Sequence, residues 1–277
     1  MKEQLSILMT TYNGGKYLSQ QLDSLLAQTF SEWTLYIRDD GSVDNTKDII
    51  SEYVNNDNRI HFIIDDKRRG ALGGFMWLLQ LIDSDYYMFC DQDDVWMEDK
   101  IELTIKKMSE QKDRETVPII VCTDLKVVDS NLKIMYDSLW KQRNYSLSSI
   151  NNKYFHLVYN NVTGCTMLIN RKAKTISIPF PKTATVHDSW ISSVVLWNNG
   201  RIIPISRATI LYRQHSFNSI GTKPVPSFIS QLKRVKSLMQ KTKKEYAVAS
   251  LLSNLGYFPF LLLKMYYMIK IHLKFNN

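Results

Sequence analysis

The first hundred residues alternate short apolar runs with amphipathic stretches, and this alternation constrains the fold of the 277-residue chain more than any other feature. LSILMT (5–10), TLYIRD (34–39), IHFII (60–64) and YYMFC (86–90) read as buried strands. Between them lie helical stretches at 16–28, with Leu18, Leu22, Leu25 and Leu26 as its stripe, at 44–54 and at 74–82. Strands joined through single helices run parallel, with right-handed crossovers. The prediction is an α/β protein built on a doubly wound, mostly parallel sheet with a Rossmann-like first half, whose ligand crevice lies at the carboxyl ends of the strands. Further along, 118–129, 156–170 and 201–213 read as strands and 187–197 as a helix. Residues 137–153 read as a polar, mobile loop, and 227–275 as two helices broken near Gly256 and Pro259.

The crevice rule directs attention to the residues just beyond each strand. The first strand ends in Thr10, Thr11, Tyr12, Asn13, Gly14 and Gly15, where glycines let backbone amides approach a ligand ahead of a helix N-terminus; a plain turn with an N-cap accounts for the same residues. The second ends in Arg38, Asp39, Asp40, Gly41 and Ser42 and continues to Asp44. A carboxylate there suits the N–H and O–H donors of a base or ribose, although Ser42 or Asp44 could simply cap the next helix. The most specific feature is Asp91-Gln92-Asp93-Asp94 after an apolar strand. Crowded carboxylates at a buried strand end are tolerable chiefly when a cation compensates. Asp91 and Asp93 can point to one side of an extended segment and offer hard oxygens to Mg²⁺ or Mn²⁺.

The second half supplies fewer candidates. Asp188 stands at a helix start within Thr183–Trp190, where it is either a functional carboxylate or a cap. Arg213 and His215, in Tyr212-Arg213-Gln214-His215, could reach a diphosphate or a metal if the loop containing Gly221 closes, or could be ordinary strand-end charges. Of the five histidines only His187 and His215 sit near these features. The three cysteines, Cys90, Cys122 and Cys165, have spacings that support neither a zinc site nor a disulfide framework, and a reducing cytosol fits them better.

Composition matters mainly through charge. With 44% hydrophobic and 22% charged residues the chain is of ordinary globular make-up, which excludes disordered and collagen-like classes. Of its 35 basic and 27 acidic residues, nine basic and one acidic lie from Phe228 onward, leaving 26 of each in residues 1–227. The whole net charge of +8 therefore belongs to the tail, and the neutral body is no general nucleic-acid binder. Lysines flank an apolar stripe of Leu232, Val235, Leu238 and Met239. The uncharged run 246–263 is broken by Ser250, Ser253, Asn254, Gly256 and Pro259, too interrupted for a spanning helix. An interfacial helix pair that holds the chain on the cytoplasmic face of the membrane is the expectation, against a pair packed on the domain. The N-terminus lacks signal-peptide features, so no export is expected.

Thr10-Thr11-Tyr12-Asn13, Asp39-Asp40-Gly41-Ser42-Val43-Asp44 and Asp91-Gln92-Asp93 occur in the order and approximate spacing of the nucleotide-sugar signatures of family 2 glycosyltransferases with the GT-A fold, which the chain resembles over about 210 residues. Asp91-Gln92-Asp93-Asp94-Val95-Trp96 and Leu211–His215 resemble the bacterial rhamnosyltransferase branch. The resemblance implies a nucleotide-sugar-binding half at 1–115, an acceptor-binding half of the same domain at 116–226, and a basic helical tail at 227–277. It implies a dTDP- or UDP-linked sugar donor held by Thr10, Thr11, Tyr12, Asn13, Asp39, Asp40, Gly73, Asp91, Gln92 and Arg213. Asp93, with Asp91 and His215, would hold Mg²⁺ or Mn²⁺, and Asp188 would be the base that activates a saccharide or lipid-linked saccharide acceptor. Arg68 and Arg69 occupy the family's donor-side loop, and Gly164 lies on a strand expected to leave room for a sugar. A metal-dependent nucleotidyltransferase would use similar acids but wants a basic residue in its glycine loop, which Thr10–Gly15 lacks; a non-catalytic nucleotide-binding module docked on the membrane is the other alternative.

Overall fold

The computed structural model describes residues 3–215 and 235–275. The Gly221 loop, Leu232, Lys233 and Arg234 lie outside the described residues. Four strands, β1 (Leu5–Thr11), β2 (Trp33–Asp39), β3 (Ile60–Ile63) and β4 (Tyr86–Cys90), lie parallel in the order β3-β2-β1-β4. Helices α1 (Leu18–Leu26), α2 (Thr46–Asn56) and α3 (Gly70–Leu81) connect them. The sheet continues through β8 (Met167–Asn170), antiparallel to both β4 and β6 (Ile119–Val128), then β9 (Arg201–Arg213), parallel to β6, and β5 (Val95–Trp96) at the far edge. A short β7 (Ile134–Tyr136) pairs with β6. This is the mixed but mostly parallel sheet of the GT-A fold.

Successive strand residues point to opposite faces, and the two faces bury separate cores. Ile7, Met9, Leu35, Ile37 and Met88 pack under α1, α2 and α4 (Lys100–Ser109). Leu8, Tyr87, Phe89, Ile120 and Ile169 pack under α3 and α8 (His187–Trp197). Strand register then sets the site: Thr11 pairs with Asp39 and Met9 with Cys90, so the three loops after β1, β2 and β4 open on one edge. Pairing of Val95 with Leu211 brings the Asp91–Asp94 turn to the end of β9, more than a hundred residues on.

Two expectations change. Of residues 156–170, only Met167–Asn170 forms a strand. Asn160 bonds through its own side chain to the Val162 carbonyl (2.7 Å) and amide (3.1 Å), a local closure that competes with a sheet ladder. Residues 137–153 are a packed segment rather than an open loop. Ser138 caps α5 (Leu139–Gln142), Asn152 caps α6 (Lys153–His156), and Leu139, Trp140 and Ile150 are buried. Two helices that periodicity left unread, α4 and α7 (Arg171–Ser177), complete the domain.

The tail forms α9 (Val235–Leu252) and α10 (Tyr257–Phe275), broken close to the expected position. Their inner faces close a third core around Phe155, Val158, Ala249, Phe260 and Tyr267. Lys264 is tied to Glu245 and to Thr242 Oγ1 (2.8 Å), which joins the two helices to each other. On the outer face of α10, Phe258, Leu262, Met265, Tyr266 and Ile269 are exposed at helical spacing. No single described helix is long and apolar enough to cross a membrane; the stretches 238–252 and 257–271 reach that measure only together, bent by 111°.

Candidate active site

The crevice wall after β1 and β2 is held by charge. Arg38 is fully buried and donates to Asp40 (Nη2, 2.6 Å), Asp65 (Nε, 2.7 Å), Thr10 Oγ1 (3.3 Å) and the Lys67 carbonyl. Asp39 accepts from Thr11 Oγ1 (2.9 Å), Ser42 Oγ (2.5 Å) and the amides of Gly41 (3.0 Å) and Ser42 (2.8 Å). A carboxylate has about four acceptor positions, so Asp39 is saturated and shapes the loop. Asp40 accepts three, from Arg38 and the amides of Arg69 (2.7 Å) and Gly70 (3.0 Å), and 13% of its side chain is exposed. Burial pushes its pKa up, yet these donors outweigh it and hold the carboxyl below its usual range.

Tyr12, 48% exposed, and Arg68 form the rim, the guanidinium 5.7 Å from the ring centre. Arg68 also donates to the Gly41 carbonyl (3.2 Å), and Gly41, at φ +87°, is in the left-handed region glycine favours. Asn13 receives the Val43 amide (2.9 Å) and gives its own to Ser42 Oγ (2.8 Å). Gln92 brackets the Tyr12 backbone with two bonds, 2.9 and 3.1 Å. Arg69 is ion-paired with Asp65 (2.6 Å), and Gly73 stands beside it in the first turn of α3. Asp65 went unread in the sequence; the signal was a lone arginine inside an apolar strand, which needs a buried partner.

At the end of β4 the acids are crowded instead of satisfied. Asp94 is fully buried; its Oδ1 accepts the Arg213 amide (3.0 Å) while Oδ2 has no partner. Burial and the neighbouring Asp93 and Asp91 charges raise its pKa well above the carboxylate range. Burial, then Asp93, then Asp188 likewise raise that of Asp91. Asp93 meets His215, Nε2 to Oδ2 at 2.8 Å, and the His215 ring leans on Tyr17. Beneath the turn lies a cation that the motifs gave no hint of. Lys100 is fully buried, its Nζ without a hydrogen-bond partner and 4.1 Å from the Trp96 ring centre, and burial lowers its pKa to about 8.

Donor atoms of Asp91, Asp94 and Cys165 lie within 4.8 Å of one another. Burial holds the Cys165 thiol protonated, so the useful ligands are oxygens. Clustered carboxylates with an orphaned, buried oxygen match a hard divalent cation. The set differs from Asp91, Asp93 and His215 by the inward turn of Asp94. Arg213 also has a role within the fold. Its guanidinium is buried and donates to the Asp93 carbonyl (2.8 Å), the Ser130 carbonyl (2.7 Å) and Gln20 Oε1 (2.6 Å), so it fastens β9 to the acidic turn.

Asp188, in the first turn of α8, comes to the same place from the opposite side, close enough to raise the pKa of Asp91. It accepts from the Gly164 amide (3.0 Å), Asn160 Nδ2 (3.1 Å) and the Ser189 amide (2.5 Å), but burial dominates and lifts its pKa to about 6. Gly164 makes room for His187 rather than for a sugar: a Cβ there would fall 2.3 Å from His187 Nε2. His187 is wedged between Phe75 (4.6 Å) and Phe89 (4.8 Å), and burial depresses its pKa to about 4, so a neutral ring sets the first turn of α8.

A crevice at the carboxyl ends of parallel strands, an acidic turn after the fourth and an opposing carboxylate define a class of protein, and comparison places the chain in it. The glycosyl transferase family 2 model matches residues 6–176, and the chain belongs to that family. It is 29% identical over 240 residues to dTDP-rhamnosyl transferase RfbG of Shigella flexneri, covering 82% of this chain and 78% of that protein. It is 34% identical over 104 residues to the Escherichia coli UDP-Glc:alpha-D-GlcNAc-diphosphoundecaprenol beta-1,3-glucosyltransferase WfgD, covering 38% of this chain and only 40% of that enzyme. S. aureus TarS 1–349 in complex with UDP-GlcNAc superposes with a TM-score of 0.65 at 19% identity, over 98% of this chain and 73% of that one, and shares the fold.

Proposed function

We propose that the chain is an inverting glycosyltransferase that moves a sugar from a nucleoside-diphosphate donor to a hydroxyl of a saccharide or lipid-linked saccharide acceptor in the synthesis of a bacterial surface polysaccharide. The observation that carries the reading is the convergence of the acidic turn, Asp91–Asp94, half-buried except for the fully buried Asp94, with Asp188 from the other half of the domain. Likeness to RfbG over most of both chains supports a dTDP-linked rhamnose donor.

In this reading the nucleoside lies between Tyr12 and Arg68, and the remaining acceptor position of Asp40 takes a donor group of base or ribose. Asp91 and Asp94, whose oxygens lie together, are the residues that would hold Mg²⁺ or Mn²⁺, with the Asp93–His215 pair beside them; the ion when bound supplies Lewis-acid compensation for charge on the leaving diphosphate. Lys100 and Arg213 keep the turn in place from behind. Asp188, with a pKa near 6, is ionised at neutral pH yet basic enough to accept the proton of an attacking hydroxyl. One such base, with no second carboxylate serving as nucleophile, implies a single displacement and inversion. The tail supports a peripheral position on the cytoplasmic face of the membrane, with the outer stripe of α10 at the lipid and tail lysines at anionic headgroups.

A panel of dTDP-, UDP- and GDP-sugars with Mn²⁺ or Mg²⁺ tests the reading. Release of free nucleoside diphosphate from one donor is expected; release of sugar 1-phosphate instead would point to nucleotidyl transfer, and release of neither would remove the proposed activity.

A further inference from the structure

A cavity of about 110 Å³ lies apart from the acidic turn, between the 144–155 segment and α10. A single water fills roughly 10–15 Å³ on that scale, so the space admits a compact polar group rather than one solvent molecule. Its floor is aromatic, with Phe155 and Tyr267 packed edge to face at 5.2 Å. Its rim is amide and hydroxyl, from Asn144, Ser146, Ser148 and Asn152. The serine hydroxyls bond each other at 2.7 Å, which uses one of their two protons and leaves the other to donate to an anion. Among the described residues, Lys270 is the one charged side chain of the lining, and no carboxylate lines the cavity beside it.

The cavity shares a wall with the proposed base. Tyr145 borders it and donates through its hydroxyl to the Asn160 carbonyl (3.2 Å), and Asn160 Nδ2 donates to Asp188 (3.1 Å). On the outer side of the same helix, Met265 and Ile269 belong to the exposed apolar stripe, and Lys270 Nζ lies 5.7 Å from the ring centre of Tyr266 at the edge of that stripe. An aromatic floor, a hydroxyl and amide rim and one ammonium are the complement of a phosphorylated sugar. We propose that this cavity is the acceptor subsite for the phosphorylated end of a saccharide, with Lys270 as its cation and Tyr145–Asn160 linking its occupancy to the position of Asp188. The proposal rests on the glycosyl-transfer reading of Asp188. A lipid-borne and a free sugar phosphate present the same chemistry here.

N-acetylglucosamine 1-phosphate is the probe, titrated into the full chain by calorimetry, with unphosphorylated N-acetylglucosamine as control. Saturable binding is expected for the phosphate and at least tenfold weaker binding for the control. Lys270→Gln should weaken the phosphate at least tenfold, and Ser148→Trp, which fills the cavity, should abolish its binding. Both variants should bind UDP and dTDP as the parent does, which shows that each is folded. No binding of the phosphate to the parent, or equal binding to parent and both variants, would overturn the proposal. Flotation with phosphatidylcholine vesicles carrying polyprenyl phosphate separates the sources: a loss in Lys270→Gln identifies a lipid-borne group, and a loss confined to the soluble titration identifies a free one. If the parent binds the phosphate but releases nucleoside diphosphate from no donor, the transfer reading fails while the anion site stands.

Discussion

Two sets of aspartates line one crevice and behave in opposite ways. Asp40, Asp44 and Asp65 sit among amide, hydroxyl and guanidinium donors that hold their pKa values down; for Asp65 the Arg69 guanidinium leads, and for the other two the donors override burial. Asp91, Asp94 and Asp188 lie deeper, and burial raises all three. The residue type is the same, and Asp188 accepts as many hydrogen bonds as Asp40; what differs is the depth of burial and, for Asp40 and Asp65, a guanidinium among the donors. The first set is held ionised by the protein and builds loops, with one acceptor position left on Asp40, whereas the second keeps an unmet demand that a cation and an acceptor proton can answer.

The contrast breaks most sharply at the acidic turn. Asp93→Asn, or chelation with EDTA, should lower transfer roughly 10³-fold or more, since a metal supplies several kcal/mol of charge stabilisation. The variant should melt no lower than the parent, because a repulsive neighbour of Asp91 and Asp94 is gone. Undiminished turnover in chelator would refute the metal role. The satisfied set should respond the other way round. Arg38→Met leaves Asp40 and Asp65 without their buried partner and should cost about 3–5 kcal/mol of stability in urea unfolding. A change under about 1 kcal/mol would mean that this network does not hold the loop. A smaller effect is expected at the tail. Leu262→Ser with Ile269→Ser should reduce flotation with anionic vesicles several-fold while leaving turnover of a soluble donor unaltered, and unchanged flotation would return α10 to a purely packing role.

Much of the fold and site was legible from residue order. The β1, β2 and β4 loops could be placed because parallel strands must end at a common edge, and α8 because His187–Trp197 carries its own start signal in Asp188. What escaped depended on partners distant in sequence. Nothing local says that Arg213 turns inward to Ser130 and Gln20, that Lys100 lies under Asp94, or that Gly164 yields its space to His187. The 156–170 run misled because Asn160 offers its backbone a local alternative to the sheet, which an apolar count does not register.

Asp188 joins the two halves of the domain, and Asp188→Asn, followed across pH, tests its role most directly. In the parent, kcat/KM should fall about tenfold per pH unit below roughly 6, where the carboxylate protonates. Because burial raises this pKa, its favourable contribution to folding is present below the unfolded value near 3.9 and is lost as pH climbs through about 6. The variant should therefore be no less stable than the parent at about pH 8. It should bind the nucleoside diphosphate normally and transfer at least about 10²-fold more slowly, with no inflection near pH 6. Normal transfer by Asp188→Asn, or an inflection that persists in it, would contradict the assignment of Asp188 as the base.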